Sequence, residues 1–377
     1  MAPSEQHEMI RDTVRRFARE HLRPNAAAWD RESRFPREAL AELAAMGLAG
    51  VAIPEEWGGA GMDHTSLAIV IEEIAAGEGA TSTIVQVNNL AAGILLGYGD
   101  AAQKERWLKP LARGELLGAF ALTEPHTGSD ASAITTRAER CERGWRLNGV
   151  KQFITSGKNA DLAIVFAVTD RAAGKRGISA FVVPTRTPGY VVARIEDKSG
   201  QHASDTAQIV FEDCIVPPDH LLGEAGIGYR IALANLESGR VNVAAQSVGM
   251  AQSALEAALA YARERRTFGK PLIEHQAVNF RLADMATQIE AGRHLYLHAA
   301  RLRDAGEPCL KEASMAKLFA SEMAEKVCSD AIQIHGGYGY VQDFPVERIW
   351  RDVRVTQIYE GASDIQRLVI GRALAGA

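Results

Sequence analysis

The sequence predicts an α+β protein in three parts: an N-terminal helical domain over 1–117, a middle β-barrel or sandwich domain over 118–222, and a C-terminal helical bundle domain over 223–377. Three observations carry this. Apolar residues step by three and four in both terminal parts, the spacing of a helix face. Between Gly118 and Pro218 that spacing almost vanishes, and short apolar runs bounded by Gly, Pro and Asp replace it. A chain of 377 residues is also too long for one ordinary core.

In the first part Ile10, Val14 and Phe17 define one helix face, and Ser4, with Glu5 and Glu8 nearby, is placed to cap it. Arg37 to Met46 and Ser66 to Ala76 continue the helical style, with Pro54 to Gly61 as a loop between them. Thr81 to Leu96 is apolar but embeds Gln86, Asn88 and Asn89, whose amides need partners if buried. In the middle part Trp145–Leu147, Asn148-Gly149 and Val150–Ile154 read as a hairpin, because Asn-Gly favours a tight primed turn. Ala119–Leu122, Leu162–Val168, Ile178–Val183 and Ala207–Phe211 read as strands, and Pro217-Pro218 closes the domain. In the last part three stripes argue for long antiparallel helices: Val248, Ala251, Leu255, Ala258 and Ala262; Val278, Leu282, Met285 and Ile289; Phe319, Met323, Val327, Ala331 and Ile334.

Composition narrows the function classes. The net charge of −5 and the absence of a long basic run argue against a nucleic-acid partner. No apolar run reaches membrane-spanning length, and Met1 to Gln6 lacks the series of a signal peptide, so no membrane association and a cytoplasmic location are expected. Cys141, Cys214, Cys309 and Cys328 have no CxxC spacing and read as reduced thiols. Glu290, His294 and His298 share a helix face, but no fourth ligand suggests itself, so a polar bundle face explains them better than a metal; no metal is expected.

Several segments are candidates for chemistry, each with a plainer reading. Leu122 to Asp130 follows a strand and is dense in hydroxyls and turn formers; it suits the polar edge of a planar heterocycle, or it is a surface loop bonding its own backbone. Phe153 can stack on a ring and Thr155 bond its edge, or Phe153 is a core residue before a turn. Arg263 to Pro271 is a basic inter-helix loop suited to phosphate, or merely solvated. Gln333 to Gly339 ends a helix with paired glycines that admit a ligand, or simply stop the helix. Glu360, between Tyr359 and Gly361, is placed for proton abstraction, with Tyr359 excluding water and Gly361 permitting a tight turn; alternatively it caps the next helix. There is no GxGxxG after a strand, no GxSxG and no P-loop.

Together and in this order, Pro54-Glu55-Glu56-Trp57-Gly58-Gly59, Leu122-Thr123-Glu124-Pro125 with Gly128-Ser129-Asp130, Arg265-Arg266-Thr267-Phe268-Gly269, Gln333-Ile334-His335-Gly336-Gly337 and Tyr359-Glu360-Gly361 resemble the acyl-CoA dehydrogenase family over essentially the whole chain. The resemblance implies a C-terminal four-helix bundle and FAD bound without a Rossmann fold. By match, Phe120, Leu122, Thr123 and Ser129 line the flavin, with Phe153 and Thr155 beside it. Arg265, Phe268, Gln276, Gln333 and Gly337 match positions that hold the FAD of a neighbouring subunit, which implies a homo-oligomer, usually a tetramer.

Glu360 matches the catalytic base, which takes the proton next to the thioester carbonyl while the neighbouring carbon gives a hydride to the flavin. Ser129, Arg240, Tyr359 and Gly361 match substrate-side positions. Some members carry the base one residue before the Arg that matches Arg240; here that position is Gly239, which leaves Glu360. Ala362 stands where many members carry a Thr, and Asp364 where some carry Gln or Glu. The stretch Leu236 to Ala244 looks most like short and branched-chain members, including isobutyryl-CoA dehydrogenases, and Thr81-Ser82-Thr83 lacks the Arg that glutaryl-CoA members use. The implied reaction is α,β-dehydrogenation of a short or branched acyl-CoA, with electrons passed to electron-transferring flavoprotein. An oxidase or flavin monooxygenase on the same fold, and a flavin-free scaffold, are the alternatives.

Overall fold

The computed structural model describes residues 4–376; the first three residues of the opening segment read above lie outside it. The first helix, α1 (Glu5–Phe17), starts as its sequence dictates. Ser4 accepts the His7 amide while the His7 ring accepts the Ser4 amide, and Ile10, Val14 and Phe17 are buried. A π-helical turn then leads through α2 (Ala26–Glu32) and α3 (Arg37–Ala45) to α4 (His64–Gly77), α5 (Gly79–Tyr98) and the short α6 (Ala101–Gln103) and α7 (Lys109–Ala112). The buried amides of α5 find partners as required. Asn88 donates to Ala49 O and accepts from Gly118 N, and Asn89 accepts from Val51 N and donates to Leu48 O. Gln86 Oε1 alone is buried without one.

Eight strands follow: β1 (Gly118–Ala121), β2 (Arg137–Cys141), β3 (Gly144–Thr155), β4 (Leu162–Val168), β5 (Ile178–Pro184), β6 (Tyr190–Ile195), β7 (Thr206–Val216) and β8 (Leu221–Leu222). They form one sheet in the order β6-β7-β3-β2-β4-β5-β8, with β1 parallel to β4. The sheet folds over its own core, in which Trp145, Phe181 and Phe211 are buried together. The opposite face of β4 and β5 packs with α5 and α7 residues. Those two strands are therefore buried on both faces, which is why they read as continuous apolar runs.

The Asn148-Gly149 hairpin does not form. Residues 144–155 are one strand, and the chain turns instead at Glu142-Arg143, where Cys141 pairs with Gly144. Gly149 has φ +147° and sits at a register shift against β7, where a Cβ would lie 2.6 Å from Thr136 Cα. The glycine serves a bulge and a close approach, the other uses of its conformational freedom. Asn148 bonds Asp213 across that bulge. The sheet also runs past Pro217-Pro218, since β8 still pairs with β5.

The last part holds α8 (Gly228–Glu264), the ribbon β9 (Arg266–Thr267) and β10 (Lys270–Pro271), then α9 (Gln276–Asp304), α10 (Leu310–His335), α11 (Val346–Val353) and α12 (Ser363–Leu374). Three helices are long and the fourth to lie against α10, α12, is short. Phe319 departs from its expected stripe and is 38% exposed, whereas Met323, Val327, Ala331 and Ile334 are buried. One hydrophobic core runs from α1 and α4 into α8, α9 and α10, so the N-terminal helices and the bundle are packed as one body. Antiparallel packing of α5 on α8 sets the height of the residues that matter next: Gly79 faces Met250, Thr83 bonds Gln246, and Gly93 lies opposite Asn235.

Candidate active site

Between α11 and α12 the chain makes a strained turn. Glu360 has φ +54° and Gly361 φ +87°. The second costs a glycine little, while the first costs a side-chain-bearing residue roughly 1 kcal/mol or more, so surrounding structure must hold it. The fully buried side chains of Gln246, Lys317 and Gln366 do so. The Tyr359 hydroxyl donates to Gln246 Oε1 at 2.5 Å. Lys317 Nζ and Gln366 Nε2 both donate to Gly361 O, at 2.5 and 2.7 Å. Gln246 in turn donates to Ser82 and Thr83 on α5, and Thr83 donates to Gln201, whose backbone N–H donates to Asp352. The loop before β7 is thereby tied to α5, α8 and α11, and burial pushes the Asp352 carboxyl up to about 7.

Glu360 does not cap α12, because that helix begins without a side-chain cap bond. Its Oε2 is buried without a hydrogen-bond partner, and its backbone N–H has none among the described residues. Burial raises its proton affinity; the Lys317 and Arg240 cations pull it partly back. The carboxylate lies against α8 at Gly239, where an added Cβ would sit 2.5 Å from Oε2. Glycine at this position is what leaves room for the Glu360 carboxylate. Arg240 is buried, donates to Ser314 Oγ at 3.3 Å and leaves Nε unpaired.

The loop after β1 is organised around Glu124, and part of it bonds its own backbone. Asp130 caps Ser132 and its carbonyl accepts the Thr127 hydroxyl, as in a self-bonded loop. Glu124, only 3% exposed, accepts the amides of Thr135 and Thr136 and the buried ammonium of Lys151 at 2.8 Å. This frame leaves the hydroxyls of Thr123, Ser129 and Thr155 with no hydrogen bond among the described residues. Leu122 is buried, and Phe120 packs on Phe166 at a centroid distance of 5.1 Å. Phe153 is not a core residue: a bulge in β3 gives it φ +59° and turns it 62% outward. Its neighbour Gln152 donates to Glu196, beside the loop that carries Gln201 to Tyr359.

Arg265, Phe268, Gln276, Gln333 and Gly337 gather elsewhere, at the far end of the bundle. Arg265 lies over the Tyr338 ring, and Phe268 is 97% exposed with φ +50°. At 1.5 Å per residue, this end of α8 lies about 40 Å from Gly239. The structure therefore separates this group from the Glu360 turn along the length of α8.

A cavity of about 440 Å³ opens between α1, α4, α8 and α9, and holds none of these candidates. Its arginines are already engaged: Arg11 and Arg15 with Glu73, Arg23 with Glu256, Arg293 with Glu72. Glu290 pairs with Arg293 and His294 on the surface. Among the described residues no helix is long and apolar enough to cross a membrane, and the cysteines are free.

Sequence reasoning missed Lys317, Gln246, Gln366 and Lys151. The signal for Lys317 was present: it falls in the buried phase of α10, with Ala313, Ala316 and Ala320. Gln246 likewise interrupts the apolar face of α8.

The residues present fit a bound flavin: an outward aromatic on a strained bulge, three unused hydroxyls, an orphaned buried Ser363 Oγ just after the Glu360 turn, and the buried, unpartnered Glu360 Oε2 of that turn. Comparison with known proteins agrees. Family profiles for the acyl-CoA dehydrogenase N-terminal, middle and C-terminal domains match residues 4–115, 119–214 and 226–375. The chain is 48% identical over 367 residues to the human mitochondrial short-chain specific acyl-CoA dehydrogenase, covering 97% of this chain and 89% of that one. It superposes on butyryl-CoA dehydrogenase from Megasphaera elsdenii with a TM-score of 0.97 at 40% identity, covering 100% of this chain and 99% of the other. A chain in a structure of the electron-transferring flavoprotein of Acidaminococcus fermentans matches with a TM-score of 0.98 at 43% identity, over 99% of each. With three domain profiles in order across one continuous fold, this chain belongs to the acyl-CoA dehydrogenase family of FAD-dependent oxidoreductases.

Proposed function

We propose that the protein dehydrogenates a short acyl-CoA thioester between its α and β carbons, with Glu360 as the base. The observation that carries this is the state of Glu360. A buried carboxylate oxygen without a partner is costly unless it has a use. The same residue offers a free backbone N–H, so one strained turn presents an acceptor for the α-proton and a donor for the thioester carbonyl. Dewatering and the raised proton affinity of Glu360 bring base and carbon acid closer in strength. Bound FAD supplies the hydride acceptor; Thr123, Ser129, Phe153 and Thr155 are the residues that would hold its ring system, and Leu122 with Phe120 backs them.

Substrate size follows from α5. Its register places Gln86 level with Asn242, one turn from Gly239, and the Gln86 amide makes no hydrogen bond among the described residues. A polar group at that height favours a butyryl-sized acyl group over a long apolar chain. Thr81 is bonded to Glu78, and Ser82 and Thr83 to Gln246, so nothing there pairs a distal carboxylate. The likeness to short-chain and butyryl-CoA enzymes points the same way. The remote cluster of Arg265, Phe268, Gln276, Gln333 and Gly337 serves the cofactor of a second copy, in a homotetramer, and Arg240, Tyr359 and Gly361 border the substrate. Electrons pass to an electron-transferring flavoprotein, a reading supported by the likeness to the chain from the Acidaminococcus fermentans electron-transferring flavoprotein structure.

The test is anaerobic bleaching of the flavin by a panel of acyl-CoAs. Butyryl-CoA is expected to bleach fastest, with isobutyryl-CoA reporting tolerance of branching; a rate that climbs steadily to long chains overturns the substrate assignment. A second expected result concerns Gly239→Ala. The methyl would force the Glu360 carboxylate aside, at its flexible end, so folding should be little changed. Displacement of the base by about 1 Å is expected to cost roughly 100-fold in turnover. Turnover within threefold of wild type would show that the carboxylate does not act from this position.

A further inference from the structure

We infer that Lys317 is a positioning residue for the reaction: it fixes the turn that carries Glu360 and holds that carboxylate in its ionised, proton-accepting form. The inference rests on Glu360 being the base.

Lys317 lies on α10 with no exposed surface, among Ala313, Ala316 and Ala320. A lysine there is costly: its charge leaves water, and its four-carbon stem fills space that an apolar side chain would fill without penalty. Burial draws its ammonium down to about 8, and Glu360 is the group that pulls it back up. Its one hydrogen bond among the described residues goes to Gly361 O, the carbonyl immediately after the base. Gly361 O also takes Gln366 Nε2, so the peptide that closes the left-handed turn is gripped from α10 and α12 at once. Without that grip Glu360 has little reason to keep φ +54°.

The charges facing Glu360 reinforce this role. Two buried cations flank it, Lys317 from α10 and Arg240 from α8; against Arg240 stands Glu237 as well. Arg240 is the more distantly engaged of the two, bonded to Ser314, while Lys317 grips the turn itself. Removing the Lys317 charge leaves desolvation of Glu360 less opposed, so its proton affinity rises. A base is active only when ionised, and the acid limb of the rate profile must then move to higher pH.

The experiment compares Lys317→Met and Lys317→Gln with wild type as flavin-loaded enzymes, using butyryl-CoA as the probe. The readout is the single-turnover bleaching rate across pH. Lys317→Met, which keeps the stem and loses both donor and charge, is expected to bleach at least tenfold more slowly at neutral pH. Its acid limb should shift up by about one unit, with flavin content unchanged. Lys317→Gln keeps a donor for Gly361 O without the charge; it should show the same shift but regain most of the rate above the limb. Should the Met variant fail to fold, the Gln profile decides alone. A wild-type limb in the folded variants, or a loss uniform in pH that tracks flavin loss, overturns the inference. The base assignment is checked separately by Glu360→Gln, which must be inactive at every pH. If that variant bleaches normally, the underlying reading has failed instead.

Discussion

Glu360→Gln is expected to give a folded, yellow protein in which short acyl-CoA no longer bleaches the flavin. The amide is nearly isosteric with the carboxylate, so the contact with Gly239 and the turn through Gly361 survive. Cofactor binding should also survive, because the hydroxyls and aromatics suited to the flavin lie on β3 and the loop after β1. What disappears is the only buried, unpartnered carboxylate oxygen among the described residues. Loss of a general base costs about 10² to 10⁴ in rate, and the α-proton of a thioester is acidic only weakly, so the upper part of that range is expected. The pH dependence has a definite sign. Burial raises the proton affinity of Glu360, so wild-type rate climbs with pH as the carboxyl ionises; the variant has no such limb. Anaerobic mixing followed by absorbance gives both numbers. Bleaching by the Gln variant at a tenth of the wild-type rate or faster would remove Glu360 from the chemistry.

Much of this was legible in the sequence, for physical reasons that also explain the failures. Stripes such as Leu282, Met285 and Ile289 mark helices because a packed face repeats with the helix turn. The turn at Glu360 was legible because a Tyr before it and a Gly after it fit a sheltered turn. Asn148-Gly149 misled because a positive φ serves a bulge as well as a turn, and local sequence does not distinguish them; the deciding contact, Thr136, lies on another segment. The core reading of Phe153 failed because the bulge turns it outward. Lys317 and Gln246 escaped notice because a polar residue within an apolar stripe declares its burial but not its partner; both partners sit in the segment around Tyr359, more than forty residues on. The sequence order of the motifs also conceals that Arg265 and Glu360, both candidate cofactor-side residues, stand at opposite ends of one bundle.

Replacing Glu124 by Ala is expected to be the most destabilising single change near the site. Glu124 holds the loop after β1 through the amides of Thr135 and Thr136, and it is the counter-charge of Lys151, which has no exposed surface. Its partners hold the carboxyl down to about 2, whereas burial pulls Lys151 down to about 8 despite the adjacent carboxylate. The two shifts oppose each other: the pair gains from the acid side and loses on the lysine side, so its net worth is small while the cost of breaking it is large. Taking away Glu124 strands Lys151 with only Leu122 O as acceptor and frees the two loop amides. A loss of about 3–5 kcal/mol in unfolding free energy is expected, with flavin released at lower denaturant. The wild-type dependence on pH follows from the same values. Glu124 contributes above its unfolded pKa of 4.5 and its contribution is lost as pH falls towards 2. Lys151 has the same sign in a higher window: between about 8 and its unfolded 10.5 stability again rises with pH, since deprotonation relieves the penalty of a buried charge. The double variant Glu124→Gln with Lys151→Met removes both charges, keeps a side-chain acceptor for the loop amides, and should regain more than half of what Glu124→Ala loses. Denaturant unfolding of the three flavin-loaded proteins settles it: a Glu124→Ala cost below about 1 kcal/mol, or a double variant no better than the single, would mean that the pair does not frame the flavin-side loop.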